Sequence, residues 1–266
     1  MEISIIINNY KTSGLLKQCL KGIFLYPPSV AYEIIVVDNN SQDGSVEVVK
    51  NNFPQVKLIE AGGNLGHHKG NNLGIKNSSG KYLLLLNTDI AFLDNSIDKM
   101  YQFMEAQPQI GLVGPKLKNP DGSIQLSCLR FPGKMVPIYR RTFLGKLPFA
   151  RRKINRYLMT DFSHQETRPV NWILGACVMV RRSAVEKVGL MDEDLFLYFG
   201  DVAWCQKLWQ AGYQVYYFID ANIVHYHKRE SAQSGIWSKI FWIHIFDWFK
   251  YLKKYSQINV AEEKNS

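Results

Sequence analysis

An apolar run that stops abruptly at an amide and a carboxylate is the first place in this chain where chemistry is possible. Tyr82-Leu83-Leu84-Leu85-Leu86 gives way to Asn87-Thr88-Asp89, residues able to bind a metal ion or a phosphate-bearing ligand. Other apolar segments end in the same way: Ile3 to Ile7 at Asn9, Glu33 to Val37 at Asp38-Asn39-Asn40, and Val56 to Ile59 at Ala61-Gly62-Gly63-Asn64-Leu65-Gly66. A carboxylate such as Asp38 can accept from a base imide or a ribose hydroxyl, and glycine lets the backbone approach a ligand closely. Taken singly, each residue reads equally well as a turn or a helix cap.

What must position these residues is a parallel sheet. A run that lacks alternation reads as a strand buried on both faces, and in open α/β sheets the ligand lies beyond the carboxyl ends of the strands. A helix is expected after the first strand, begun by Thr12 or Ser13, with Leu15, Leu16, Cys19, Leu20, Ile23 and Phe24 at helical spacing and Pro27-Pro28 as its stop. The turn Ser41-Gln42-Asp43-Gly44 leads to a shorter helix through Val46, Val49 and Phe53. This alternation argues for right-handed βαβ units. Later, Ala176 to Arg181 reads as a strand and Ser183 to Val188 as a helix ended by Gly189. Asp201 to Ala211 reads as a longer helix and Ile219 to Val224 as extended chain leading to His225.

The bulk properties narrow the class. The chain has 266 residues, 46% of them hydrophobic, enough for one large domain with or without an appendage. Met1-Glu2 runs directly into a strand, without the basic start of a signal peptide, so a cytosolic protein is expected. Cys19, Cys128, Cys177 and Cys205 form no Cys-x-x-Cys pair, which argues against a zinc site or a disulfide framework. No Gly-x-Gly-x-x-Gly comes after the first strand. Gly74 to Lys81 misses the P-loop pattern in its glycine spacing, in having Tyr82 for Ser or Thr, and in leading to a strand where a helix is required. The net charge of +9 calls for an anionic partner, but no nucleic-acid motif accompanies it.

Taken together, Val36-Val37-Asp38-Asn39-Asn40-Ser41-Gln42-Asp43-Gly44-Ser45, Asn64-Leu65-Gly66, Gly70-Asn71-Asn72 and Asn87-Thr88-Asp89 resemble family 2 glycosyltransferases, in particular the rhamnosyltransferase-like subgroup. The resemblance continues through Gly114-Pro115-Lys116-Leu117, Pro120-Asp121-Gly122-Ser123, Trp172 with Gly175-Ala176-Cys177, Phe196-x-Tyr198-Phe199, Asp201-Val202, Ala211-Gly212-Tyr213 and Val224-His225. It implies the α/β GT-A fold, a single Rossmann-like nucleotide-binding domain with a mixed, mostly parallel sheet. It also implies inverting transfer from a nucleotide-diphosphate sugar, a dTDP- or UDP-sugar with dTDP-rhamnose as a candidate, to a glycan or lipid-linked glycan.

By that resemblance Asp201 is the general base, and Asn9, Asp38, Asn40, Asn64, Gly66, Asn87, Trp172 and Gly175 contact the donor. Asp89 and His225 would bind a divalent cation, Mn²⁺ or Mg²⁺, with His227 two residues on as the competing histidine. Gly200 and Ala203 depart from the family, which usually carries acids there. The alternatives are a non-catalytic nucleotide-sugar-binding assembly protein and a metal-dependent nucleotidyltransferase. Asp201 also reads as a helix N-cap, and Trp172 and Tyr198 as core aromatics rather than walls for a sugar.

The expected organisation is a catalytic domain over 1–235, with a donor half over 1–119 and an acceptor half over 120–235, and a helical tail over 236–266. Arg130 to Arg168, broken by Pro132, Pro137 and Pro148, reads as a mobile loop on the acceptor side. Its basic residues, interleaved with Phe143, Leu144, Leu147, Phe149 and Tyr157, suit a membrane interface. In the tail, Trp237, Phe241, Trp242, Trp248 and Phe249 with Lys239, Lys250, Lys253 and Lys254 predict an interfacial helix at the inner face of the cell membrane. A helix packed on the domain or on a second subunit is the alternative.

Overall fold

The computed structural model describes residues 1–226 and 238–256. The apolar run is strand β4 (Tyr82–Asn87), in which Tyr82 through Leu86 are at most 1% exposed. It pairs in parallel with β1 (Ile3–Asn9), and β1 with β2 (Tyr32–Asp38), which pairs with β3 (Lys57–Glu60). Beyond β4 the sheet becomes mixed. Strand β10 (Cys177–Arg181) runs antiparallel between β4 and β6 (Ile110–Lys118), and β11 (Gln214–His225) then runs parallel to β6. Short strands β5 (Ile90–Phe92) and β8 (Arg168–Pro169) pair antiparallel with β11, while β7 (Cys128–Leu129) and β9 (Trp172–Ile173) form a ladder of their own.

Alternate side chains of the central strands feed two cores, as the period of two requires. Ile5, Ile7, Leu84 and Leu86 point to one face, with Leu16, Leu20 and Ile23 of α1 (Ser13–Leu25), Val49 of α2 (Ser45–Asn52) and Met100 of α4 (Ser96–Glu105). Ile6, Leu83 and Leu85 point to the other, with Ile75 of α3 (His67–Lys76), Ala184 of α7 (Arg182–Val188) and Trp204 of α8 (Gly200–Gln210).

Helix α3 is not legible in the sequence because Gly70 and Gly74 weaken helical propensity. The structure gives them a packing role: a Cβ on either would overlap Asn8 or Ile6 of β1, so the glycines let the helix lie close on the strand.

The expected mobile loop is instead folded. It forms α5 (Val136–Arg141), a 3-10 turn over Phe143–Lys146 and α6 (Pro148–Tyr157), and it buries Tyr139, Ala150, Tyr157 and Met159. Pro137 and Pro148, two of the three prolines that suggested a loop, stand at the starts of α5 and α6, where their missing N–H costs nothing. The C-terminal helix α9 (Lys239–Tyr255) contributes Trp248, Tyr251 and Tyr255 to the second core. Its buried Asp247 accepts from the backbone N–H groups of Phe196, Leu197 and Tyr198 at 3.1, 2.9 and 2.9 Å. One face of the expected interfacial helix is therefore packed on the catalytic fold.

Candidate active site

Because β10 runs against β4, its entry meets the carboxyl end of the parallel strands. The Asn87 N–H donates to the Ala176 carbonyl at 2.9 Å, which sets Gly175 beside Asn87-Thr88-Asp89. The Gly175 N–H donates to Asp201 Oδ2 at 3.2 Å, and the Val202 N–H donates to Oδ1 at 2.9 Å. Asp201 is not the N-cap: that position is Phe199, with φ +66°, and Asp201 lies in the first turn of α8. Burial pushes the Asp201 carboxyl above the usual carboxylate range, opposed by the charge of His68 and by the two backbone donors. A carboxylate with raised basicity and a fixed orientation is suited to take a proton.

The second cluster joins Asp89 and His225. Strand β11 sets His225 opposite Ile90, and the Tyr226 N–H donates to the Asp89 carbonyl at 2.9 Å. Gln125 Oε1 lies 2.7 Å from His225 Nδ1, and since an amide oxygen only accepts, Nδ1 carries the proton and Nε2 is directed at Asp89. Nε2 stands 3.3 Å from Asp89 Oδ2. Two ligands each about 2.1 Å from a common octahedral ion and at right angles to one another stand about 3 Å apart, so the pair fits a divalent cation. Among the described residues no third carboxylate, imidazole or thiolate joins them. His227 lies outside the described residues. Gln125 escapes sequence reasoning, which has only a turn signal nearby.

At the ends of β1 and β2, Asp38 is buried and accepts from Asn9 Nδ2 at 2.8 Å, from the Ser41 hydroxyl at 2.5 Å and from the Ser41 N–H at 3.0 Å. Asn9 is wholly buried, its amide given to Asp38, Ser41 and Thr12, so it holds Asp38 in place. Asp38 opens onto a cleft lined by Asn40, Gln42, Gly44, Ala61 and Gly62.

Asn64 is exposed and accepts from the Gly66 N–H at 2.9 Å. Gly66, at φ +83°, lies so close to Phe196 that a Cβ would overlap it. The Gly66 carbonyl accepts from Asn8 and Asn39. Trp172 does not offer a wall for a sugar. It is 4% exposed, its indole N–H donates to the Arg130 carbonyl at 2.9 Å, and its ring lies against Tyr157 in the core.

A mostly parallel sheet with reversed strands within it and at its edge, its acids and amides gathered at the carboxyl ends of the parallel strands, is the GT-A architecture of glycosyltransferases. The chain belongs to the glycosyl transferase family 2, whose sequence pattern matches residues 4–189. It is 31% identical over 226 residues to an N-acetylglucosaminyl-diphospho-decaprenol L-rhamnosyltransferase of Mycobacterium tuberculosis, covering 79% of this chain and 72% of that one. It is 26% identical to the low-salt glycan biosynthesis hexosyltransferase Agl10 of Haloferax volcanii, covering 77% of this chain and 61% of that one. Among solved structures, the mannosyltransferase PcManGT of Pyrobaculum calidifontis, in complex with GDP-Man and Mn²⁺, superposes with a TM-score of 0.59. That match has 18% identity and covers 96% of this chain and 70% of that one.

Proposed function

We propose that the protein transfers a sugar, with inversion, from a nucleotide-diphosphate donor to a hydroxyl of a glycan or lipid-linked glycan acceptor in cell-surface polysaccharide synthesis. The observation that carries this reading is the Asp201 carboxylate, raised in basicity and hung from the Gly175 N–H at the edge where β4 delivers Asp89. Asp201 takes the proton of the acceptor hydroxyl as that oxygen attacks the anomeric carbon from the face opposite the diphosphate. The bond to the diphosphate breaks, and its electron pair leaves with the diphosphate oxygen. A divalent cation, Mn²⁺ or Mg²⁺, supplies charge neutralisation of the leaving diphosphate when bound, and Asp89 and His225 would hold it. Asp38 and Asn40 face the nucleoside, Asn64 and Gly66 shape the loop beside it, and Asn87 and Gly175 line the sugar side.

The rhamnosyltransferase likeness favours dTDP-rhamnose as donor and a lipid-diphosphate-linked acceptor. Release of nucleoside diphosphate from dTDP- and UDP-sugars, with and without such an acceptor, tests the reading. Donor binding without release points to a non-catalytic binding protein, and pyrophosphate as product to nucleotidyl transfer.

The same reading has the protein work in the cytoplasm, peripherally at the inner face of the cell membrane. No helix among the described residues is long and apolar enough to cross a membrane. The outer face of α9 leaves Trp242, Phe246 and Phe249 50, 58 and 63% exposed, beside Lys250 and Lys253. Phe143 and Phe149 are exposed among Arg140, Arg151 and Arg152. His244 of α9 is held down to about 3 by burial and by the charges of Arg141 and Arg140. Exposed aromatics ringed by cations suit an anionic headgroup layer; a homo-oligomer through α9 is the competing use of that face.

A further inference from the structure

We infer that His68 is a positioning residue for the Asp201 carboxylate, lodged in the space that a side chain at residue 200 would take. This rests on the assignment of Asp201 as base. His68 is 1% exposed, and its Nδ1 lies 2.6 Å from the Leu195 carbonyl oxygen. A carbonyl only accepts, so Nδ1 carries the proton and the Nε2 edge faces the start of α8. That edge lies on Gly200: a Cβ there would overlap Cδ2, Nε2 and Cε1 of the ring. A larger residue at 200 therefore displaces the imidazole or the first turn of the helix, and that turn carries Asp201.

The His67 ring meets His68 edge-on at 5.4 Å, and burial brings the His67 pKa down to about 3. His68 acts on the base by filling the space under the turn that delivers it, and the absence of a side chain at residue 200 is the condition for this.

The test uses the full chain, a transfer assay and four variants. His68→Gln keeps a donor for the Leu195 carbonyl but removes the ring. It is expected to lower kcat by about tenfold or more and to leave the donor KM within roughly twofold. Gly200→Ala is expected to lower kcat and the melting temperature, and adding His68→Ala should recover part of the melting temperature by making room while leaving kcat low. Wild-type kcat in His68→Gln, beside an inactive Asp201→Asn, would overturn the inference while leaving the base in place. So would full activity in Gly200→Ala. If Asp201→Asn itself transfers sugar, it is the base assignment that falls, and the Gly200→Ala and His68→Ala melting temperatures still report whether the ring and residue 200 share one space.

Discussion

His225 Nε2 stands 3.3 Å from Asp89 Oδ2, although the two residues are separated by most of the chain. Strand pairing between β5 and β11 brings them together. If the pair holds a cation, Asp89→Asn and His225→Gln both weaken Mn²⁺-dependent binding of nucleoside diphosphate and leave the metal-free affinity unchanged. Calorimetric titration with and without Mn²⁺ measures this. Identical metal dependence in wild type and variants would reduce the pair to an ordinary ion pair.

Gln125 fixes the His225 ring, so its removal acts on the metal without touching it. Gln125→Leu is expected to weaken metal affinity by about 10- to 100-fold, and Gln125→Glu, which keeps an acceptor for Nδ1–H, to recover most of the loss. Metal titration followed by nucleotide binding checks both.

Ionised Asp201 carries a cost. Its folded-state pKa is raised by burial above the unfolded value of about 3.9, so the folded state binds more protons between those two values. Stability from this group is complete below the unfolded pKa and lost as pH rises through the folded one. Asp201→Asn should therefore melt higher than wild type at neutral pH, with the difference shrinking in acid. A melting series from acid to neutral pH reads the sign directly. In activity, the acid limb of kcat/KM should lie above the ordinary carboxylate range.

Asp247 ties α9 to the segment just before the base. Asp247→Leu leaves the N–H groups of Phe196, Leu197 and Tyr198 without their buried acceptor. A loss of about 3 kcal/mol lowers the melting temperature by roughly 6–12 °C. Thermal melting of this variant beside Lys250→Ala, on the same helix, separates the clamp from a general effect of altering α9.

Much of this site is legible as strand ends and little of it as partners. The unalternating run at Tyr82 to Leu86 dictates a doubly buried strand, and with it the position of Asp89. Asp201 is visible through its motif, but the Gly175 N–H that helps orient it depends on where β10 enters the sheet, which no local pattern encodes. Gln125 lies 100 residues from His225 and Asp247 lies 51 from Phe196, pairings that only the folded sheet creates. Trp172 misleads because an aromatic beside a glycine motif looks the same whether it faces a ligand or the core. Gly200, a departure from the family, acquires its reason only when His68 is seen against it.

The exposed aromatics of α9 give a prediction for membranes. Trp242→Ala/Phe246→Ala/Phe249→Ala should cut binding to anionic vesicles while leaving the fold intact, since none of the three is buried. Flotation with anionic and with neutral vesicles measures it. Equal flotation of wild type and variant would remove α9 as the contact, and loss of a dimer in sedimentation would assign the face to a second copy.

The most direct test of the account is transfer by Asp201→Asn, measured beside donor binding. The substitution keeps the shape and removes the basic oxygen. Donor and metal binding should be unchanged while the rate falls by a factor on the order of 10² or more. Transfer at the wild-type rate would contradict the assignment of Asp201 as the base.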